Sequence, residues 1–79
     1  MPHYHLNLFN DVDSWDDEGT DYEDLAAAKA AAIRAGRAMI ADHINEGQAI
    51  HLSHRIEIAD DAEKVLAVIP FREMVTILD

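Results

Sequence analysis

Residues 24–47 read DLAAAKAAAIRAGRAMIADHINEG, and this stretch decides the fold. From Leu25 to Glu46 it holds no proline and is built on alanine and other good helix formers. Asp24 has the carboxylate of an N-cap, able to accept a bond from an orphan N–H of the first turn. The acids before it suit the positive end of the helix dipole. Gly47 is a fitting stop, because a residue just past a helix commonly turns left-handed. The span predicts a helix of about 22 residues, roughly 33 Å long. At 100° per residue one stripe collects Leu25, Ala28, Ala32, Ile33, Gly36, Met39, Ile40, His43 and Ile44. That is an amphipathic helix with one buried face. Ala28, Ala32 and Gly36 are small, so its first half can lie close to a sheet.

Outward from the helix the pattern changes period. His3 to Phe9 alternates, with Tyr4, Leu6 and Leu8 on one side and His3, His5, Asn7 and Phe9 on the other. A period of two predicts a half-buried strand. Asn10 to Asp24 is rich in acids, carries no basic residue, and is punctuated by Gly19. Trp15, its one large apolar group, is expected to pack down and anchor the loop. A short strand is allowed around Thr20 to Tyr22. After the helix, His51 to Ile58 alternates again, with Leu52, His54, Ile56 and Ile58 sharing a face. Ala59 to Lys64 is turn-like. Val65-Leu66-Ala67-Val68-Ile69 is a continuous apolar run ended by Pro70. The last two runs predict an antiparallel hairpin. Phe71 to Leu78 fits either a last helical turn or a short strand.

The run Val65–Ile69 has a consequence. Strand side chains alternate between faces, so both faces of this strand are apolar. One helix covers only one face of a sheet. The second face calls for the C-terminal segment or another subunit, and a C₂ dimer is the default symmetry.

Composition narrows the function classes. The chain has 79 residues, 49% hydrophobic and 28% charged, with three glycines and two prolines. That is one folded domain, residues 1–79, with a small core. Sixteen acidic against six basic residues give a net charge of −10. Such a balance argues against nucleic-acid binding, where phosphate neutralisation supplies affinity, and against anionic membranes. A basic protein partner stays open. There is no cysteine, hence no disulfide and no thiol chemistry. The N-terminal residues have neither the basic nor the apolar region of a signal peptide, and no apolar run spans a bilayer. The expected location is cytoplasmic.

The titratable residues form no established motif. His3 and His5 share a strand face, and His51 is placed to join them; two or three imidazoles would suit zinc or nickel. No carboxylate spacing completes that set, and the prevailing reading is surface histidines. His43 and His54, on apolar faces, read as part-buried histidines with backbone partners rather than as catalytic bases. The acidic loop fails the calcium pattern: counting from Asp11, Trp15, Asp16 and Tyr22 occupy positions that require an oxygen ligand, glycine and glutamate. Asp16 and Asp17 are expected to be solvated carboxylates. The basic residues are scattered, and the glycines form no phosphate loop.

The order of short motifs resembles a known family. Met1-Pro2-x-Tyr4 opens a strand, Asp17-Glu18-Gly19 lies in the acidic loop, and Asp24-Leu25-x-Ala27-Ala28 starts the helix. Arg55-x-Glu57 and Val65-Leu66 followed by Pro70-Phe71 complete it. These features are similar to those of short, mostly proteobacterial proteins grouped as a domain of unknown function. The resemblance covers nearly the whole chain and implies the strand–acidic loop–helix–hairpin plan; the family has no established activity or catalytic residues, so it implies no function. Where this chain has His5 and His54, the family usually has an aromatic or long apolar residue. The plan is also similar, at fold level only, to that of small antitoxin-type domains.

The expected fold is α+β: an antiparallel sheet of three to four strands with one long amphipathic helix packed on one face. The expected function is a non-catalytic homo-oligomeric interaction module, a dimer by default, with Phe9, Leu66 and Val68 as candidate interface. The alternative is an acidic antitoxin-like or regulatory partner of a basic protein, with Asp16, Asp17 and Glu18 as contact surface. No catalytic residue, cofactor or metal is assigned.

Overall fold

A computed structural model describes all residues, 1–79. The order of elements is β1 (His3–Phe9), β2 (Thr20–Asp21), α1 (Leu25–Asn45), β3 (Arg55–Ala59), β4 (Val65–Pro70) and a 3-10 turn (Phe71–Glu73). The strands form one antiparallel sheet in the order β2-β1-β3-β4. The helix lies on one face, giving the two-layer α+β fold expected. The molecule measures 40 × 24 × 17 Å, and the thin dimension leaves no room for a third layer.

Helix ends follow the sequence signals. Asp24 caps α1, its carboxylate accepting from Ala27 N–H at 2.8 Å, and Gly47 turns left-handed with φ +71°. The buried positions Ala28, Ala32, Gly36 and Ile40 form one ridge at four-residue spacing. Small residues there bring the helix close to Ile56, Ile58 and Ile69, and Phe71 and Met74 close the core beneath it. Arg37 Nε donates to Met74 O at 2.7 Å and ties the helix to this C-terminal segment. Only 12 of 79 residues are buried, so each core contact weighs heavily on stability.

Three expectations need correction. Ile44 is not on the buried stripe; it is 64% exposed. Twenty-one helical residues rise about 32 Å and seven-residue β1 only about 24 Å, so the last helical turn overhangs the sheet. The strand expected from His51 begins at Arg55, because β1 ends at Phe9, opposite Arg55. Residues before Arg55 have no partner there and turn instead, with His54 N–H on His51 O at 3.1 Å. Trp15 does not pack down; it is 64% exposed, its ring edge-on to Phe9 with centroids 5.2 Å apart. The C-terminal segment leaves the second face of the sheet open, with Ile77 and Leu78 exposed. No helix is long and apolar enough to cross a membrane.

Candidate functional site on the outer face of the sheet

Alternation along β1 turns Tyr4, Leu6 and Leu8 toward the helix and His3, His5, Asn7 and Phe9 outward. Register with β3 extends the outer face, Asn7 opposite Glu57 and Phe9 opposite Arg55; β4 adds Val68, opposite Glu57.

The acidic segment after β1 returns along the free edge of that strand. Leu8 and Ser14 exchange two backbone bonds of 2.8 Å. Further on, Asp16 takes over the role of the ladder. Its Oδ2 accepts from Leu6 N–H at 3.1 Å and its Oδ1 from Gly19 N–H at 3.0 Å. Its own N–H donates to Asn7 Oδ1 at 2.9 Å. This accounts for a buried asparagine on the outer face. Gly19 then adopts φ +70°, and a Cβ there would lie 2.6 Å from His3 Nε2. Only glycine lets the loop approach His3 so closely.

The histidines hold the loop from beneath. His3 Nδ1 lies 2.6 Å from Asp21 Oδ1, and its Nε2 lies 2.6 Å from Glu18 O. His5 Nδ1 lies 2.6 Å from Asp16 O, and its Nε2 lies 2.9 Å from Asp61 Oδ1. Every ring nitrogen therefore faces an acceptor. A neutral imidazole can donate from one nitrogen only, so these surroundings favour the doubly protonated ring. The Asp21 carboxylate, then the Glu18 carbonyl, raise the pKa of His3; Asp61, then the Asp16 carbonyl, raise that of His5. Asp21 in turn is held below its ordinary value by His3.

Asp61 comes from the turn joining β3 to β4. Asp60 shapes that turn, its Oδ1 accepting from Ala62 and Lys64 N–H at 2.9 Å each. Between this turn and the acidic loop lies an open cleft of about 420 Å³, with His5, Asn7 and Glu57 among its floor residues. Trp15 and Asp17 lie on one side, Asp61 and Glu63 on the other.

Residues singled out from sequence fall into separate groups. Asp17 and Glu18 are exposed, while Asp16 is half-buried and its two oxygens are occupied. Phe9 is covered by the Arg55 guanidinium, 4.5 Å above its ring. Leu66 and Val68 lie on β4, part-exposed beside Lys29 and Ile33 of the helix. His51 does not join His3 and His5; it stacks on His54 with centroids 4.6 Å apart. Instead of a backbone partner, the His54 imidazole has Phe71 at 5.9 Å and an Asp11 carboxylate at 3.7 Å. Asp21 and Asp61 were missed by sequence reasoning. The pairing His3↔Asp21 would have revealed the first once β2 was accepted; no local signal marks the second.

This architecture defines a small two-layer α+β domain whose outer sheet face carries an acidic, histidine-latched loop. The chain belongs to the family described as Domain of unknown function (DUF6894), which matches residues 3–72. No curated protein and no solved structure gives a significant match.

Proposed function

We propose that this protein is a non-catalytic interaction module that pairs with a second copy of itself along β4. One observation carries the reading. β4 is an edge strand, and Val65, Leu66 and Val68 on it are 46%, 37% and 50% exposed. Free edges in monomers are commonly blunted by charge or proline. Here Lys64 and Pro70 flank five consecutive apolar residues. A two-fold axis sets two such edges antiparallel. The register shift near Ile58/Ala59, opposite Val65–Ala67, limits an unbroken ladder, so apolar side chains supply much of the contact. Phe9, on β1 and covered by Arg55, lies outside this edge contact. A cytoplasmic setting fits the same reading, since a chain without cysteine has no need of an oxidising compartment, and the family resemblance favours a bacterial one.

Light scattering on size-exclusion peaks tests this. The dimer mass is expected for the native chain and the monomer mass for Val68→Asp or Leu66→Asp with unchanged circular dichroism. A native monomer at sub-millimolar concentration would overturn it.

A second reading rests on the cleft. Carboxylates of Asp17, Glu57, Asp61 and Glu63 line it, Glu57 paired with Arg55 at 2.7 Å and Asp61 with His5, and the exposed indole of Trp15 stands beside them. A cationic side chain of a basic partner would meet both charge and a π face there. An arginine-rich peptide should bind in a salt-sensitive way, and more weakly to the Asp17→Asn/Glu63→Gln variant. Equal binding by that variant would remove this reading. Asp16 is left intact because it holds the loop.

A further inference from the structure

We propose that His3, His5 and Asp61 form a binding site for a divalent transition-metal ion of the zinc type. One ligand atom from each lies within 4.8 Å of the other two. Bonds of about 2.0–2.2 Å in a tetrahedral shell place ligand atoms about 3.3 Å apart, so closure needs shifts on the order of 1 Å. Two imidazoles and one carboxylate suit zinc, cobalt or nickel and disfavour magnesium and calcium, which take oxygen ligands. Three protein ligands leave at least one position for water or an incoming group.

The surrounding contacts distinguish this cluster from a chance gathering of side chains. A metal-bound histidine usually donates its second N–H to a carbonyl or carboxylate, which fixes the ring. His5 has that partner in Asp16 O, 2.6 Å from Nδ1, leaving Nε2 turned to Asp61 at 2.9 Å. Both nitrogens of His3 are engaged, Nδ1 by Asp21 Oδ1 and Nε2 by Glu18 O, each at 2.6 Å; an ion must displace one of these partners, and the other then remains to fix the ring. The positions are also held by the fold. The two histidines sit two apart on β1, and the loop that supplies their partners is pinned by Asp16. Asp61 has room to close, its side chain being 72% exposed in the turn. Metal-free, a hydrogen bond joins His5 Nε2 to Asp61 Oδ1, and binding must expel its proton.

A second set, Asp11, His51 and His54, meets the same distance test and provides an internal control. It lacks the support: His51 is exposed, and His54 Nε2 is 3.7 Å from Asp11 Oδ1.

The test uses the full chain, stripped with chelator, titrated with Co²⁺ and then with Zn²⁺. Cobalt reports low-coordinate nitrogen and oxygen ligation through its visible bands, and calorimetry gives zinc stoichiometry. One ion per chain is expected. Asp61→Asn should weaken zinc on the order of tenfold or more, and His5→Gln should abolish the cobalt spectrum. His51→Gln and Asp11→Asn should leave both unchanged. Asp61 is exposed, so its substitution leaves the fold intact, as circular dichroism checks. Absence of binding at micromolar zinc would overturn the proposal. Binding insensitive to Asp61→Asn, lost with His51→Gln, or saturating at half an ion per chain would overturn it as well.

Discussion

Asp16 is the residue on which the outer face depends. Its two oxygens satisfy two backbone donors, one in β1 and one in the loop. Asp16→Asn turns one acceptor into a donor facing an N–H, and a cost of about 1–3 kcal/mol is expected in urea unfolding. Asp17→Asn, one residue away and solvated, should stay within about 0.5 kcal/mol of the native chain. Sequence treats the two as equivalent neighbours, because only tertiary placement tells them apart. The same holds for the histidines. The spacing of His3 and His5 is legible, yet the carboxylate that meets His5 lies 56 residues downstream. Their protonation has a consequence for stability. Both have pKa values raised above the ordinary 6.5, so protonation favours the folded state. That contribution is whole below about pH 6.5 and is lost as pH rises through the raised folded values. Asp21 lies below its ordinary 3.8; its contribution is present above that value and fades as pH falls through the lower folded one. The loop is therefore held most firmly between about pH 4 and 6.5. With chelator present, the denaturation midpoint should fall as pH climbs from about 6 to about 8. A midpoint that rises over this range would contradict the assignment.

Among the elements, the helix was the most legible, because its cap, its stop and its ridge are all local. Asp24 and Gly47 mark its ends, and Ala28, Ala32 and Gly36 mark the face against the sheet. What sequence could not supply was the length of its partner, hence the overhang at Ile44 and the late start of β3. Trp15 misled for a related reason. A lone large apolar residue suggests burial, but its loop spends its backbone bonds on the edge of β1 and never reaches the core side. Gly36 puts the helix–sheet contact to the test. A Cβ there would overlap Met74 Sδ, and Met74 is only 2% exposed and enclosed by the core. Alanine improves helix propensity by up to about 1 kcal/mol, while overpacking costs about 1–3 kcal/mol. Gly36→Ala should therefore lower the thermal midpoint by several degrees. An increase would mean that Met74 finds another rotamer at no cost.

For the molecule as a whole, charge decides how the two functional readings behave. Each chain carries −10, so pairing brings like charges together. Self-association through the apolar edge of β4 should tighten as salt rises and screens that repulsion. Capture of a basic partner in the cleft should weaken over the same range. Sedimentation at low and moderate salt separates the two by sign alone; a dimer that dissociates as salt increases would speak against the β4 edge. The strand order carries a different message, about time. β3 and β4 are joined by a five-residue turn and can zip together locally. β1 must wait for β3, whose first residue follows its last by the whole loop, helix and turn between Phe9 and Arg55. Such a long closure is entropically slow. β1 is thus expected to dock late, and the groups that grip His3 and His5 act on the slowest closure of the fold.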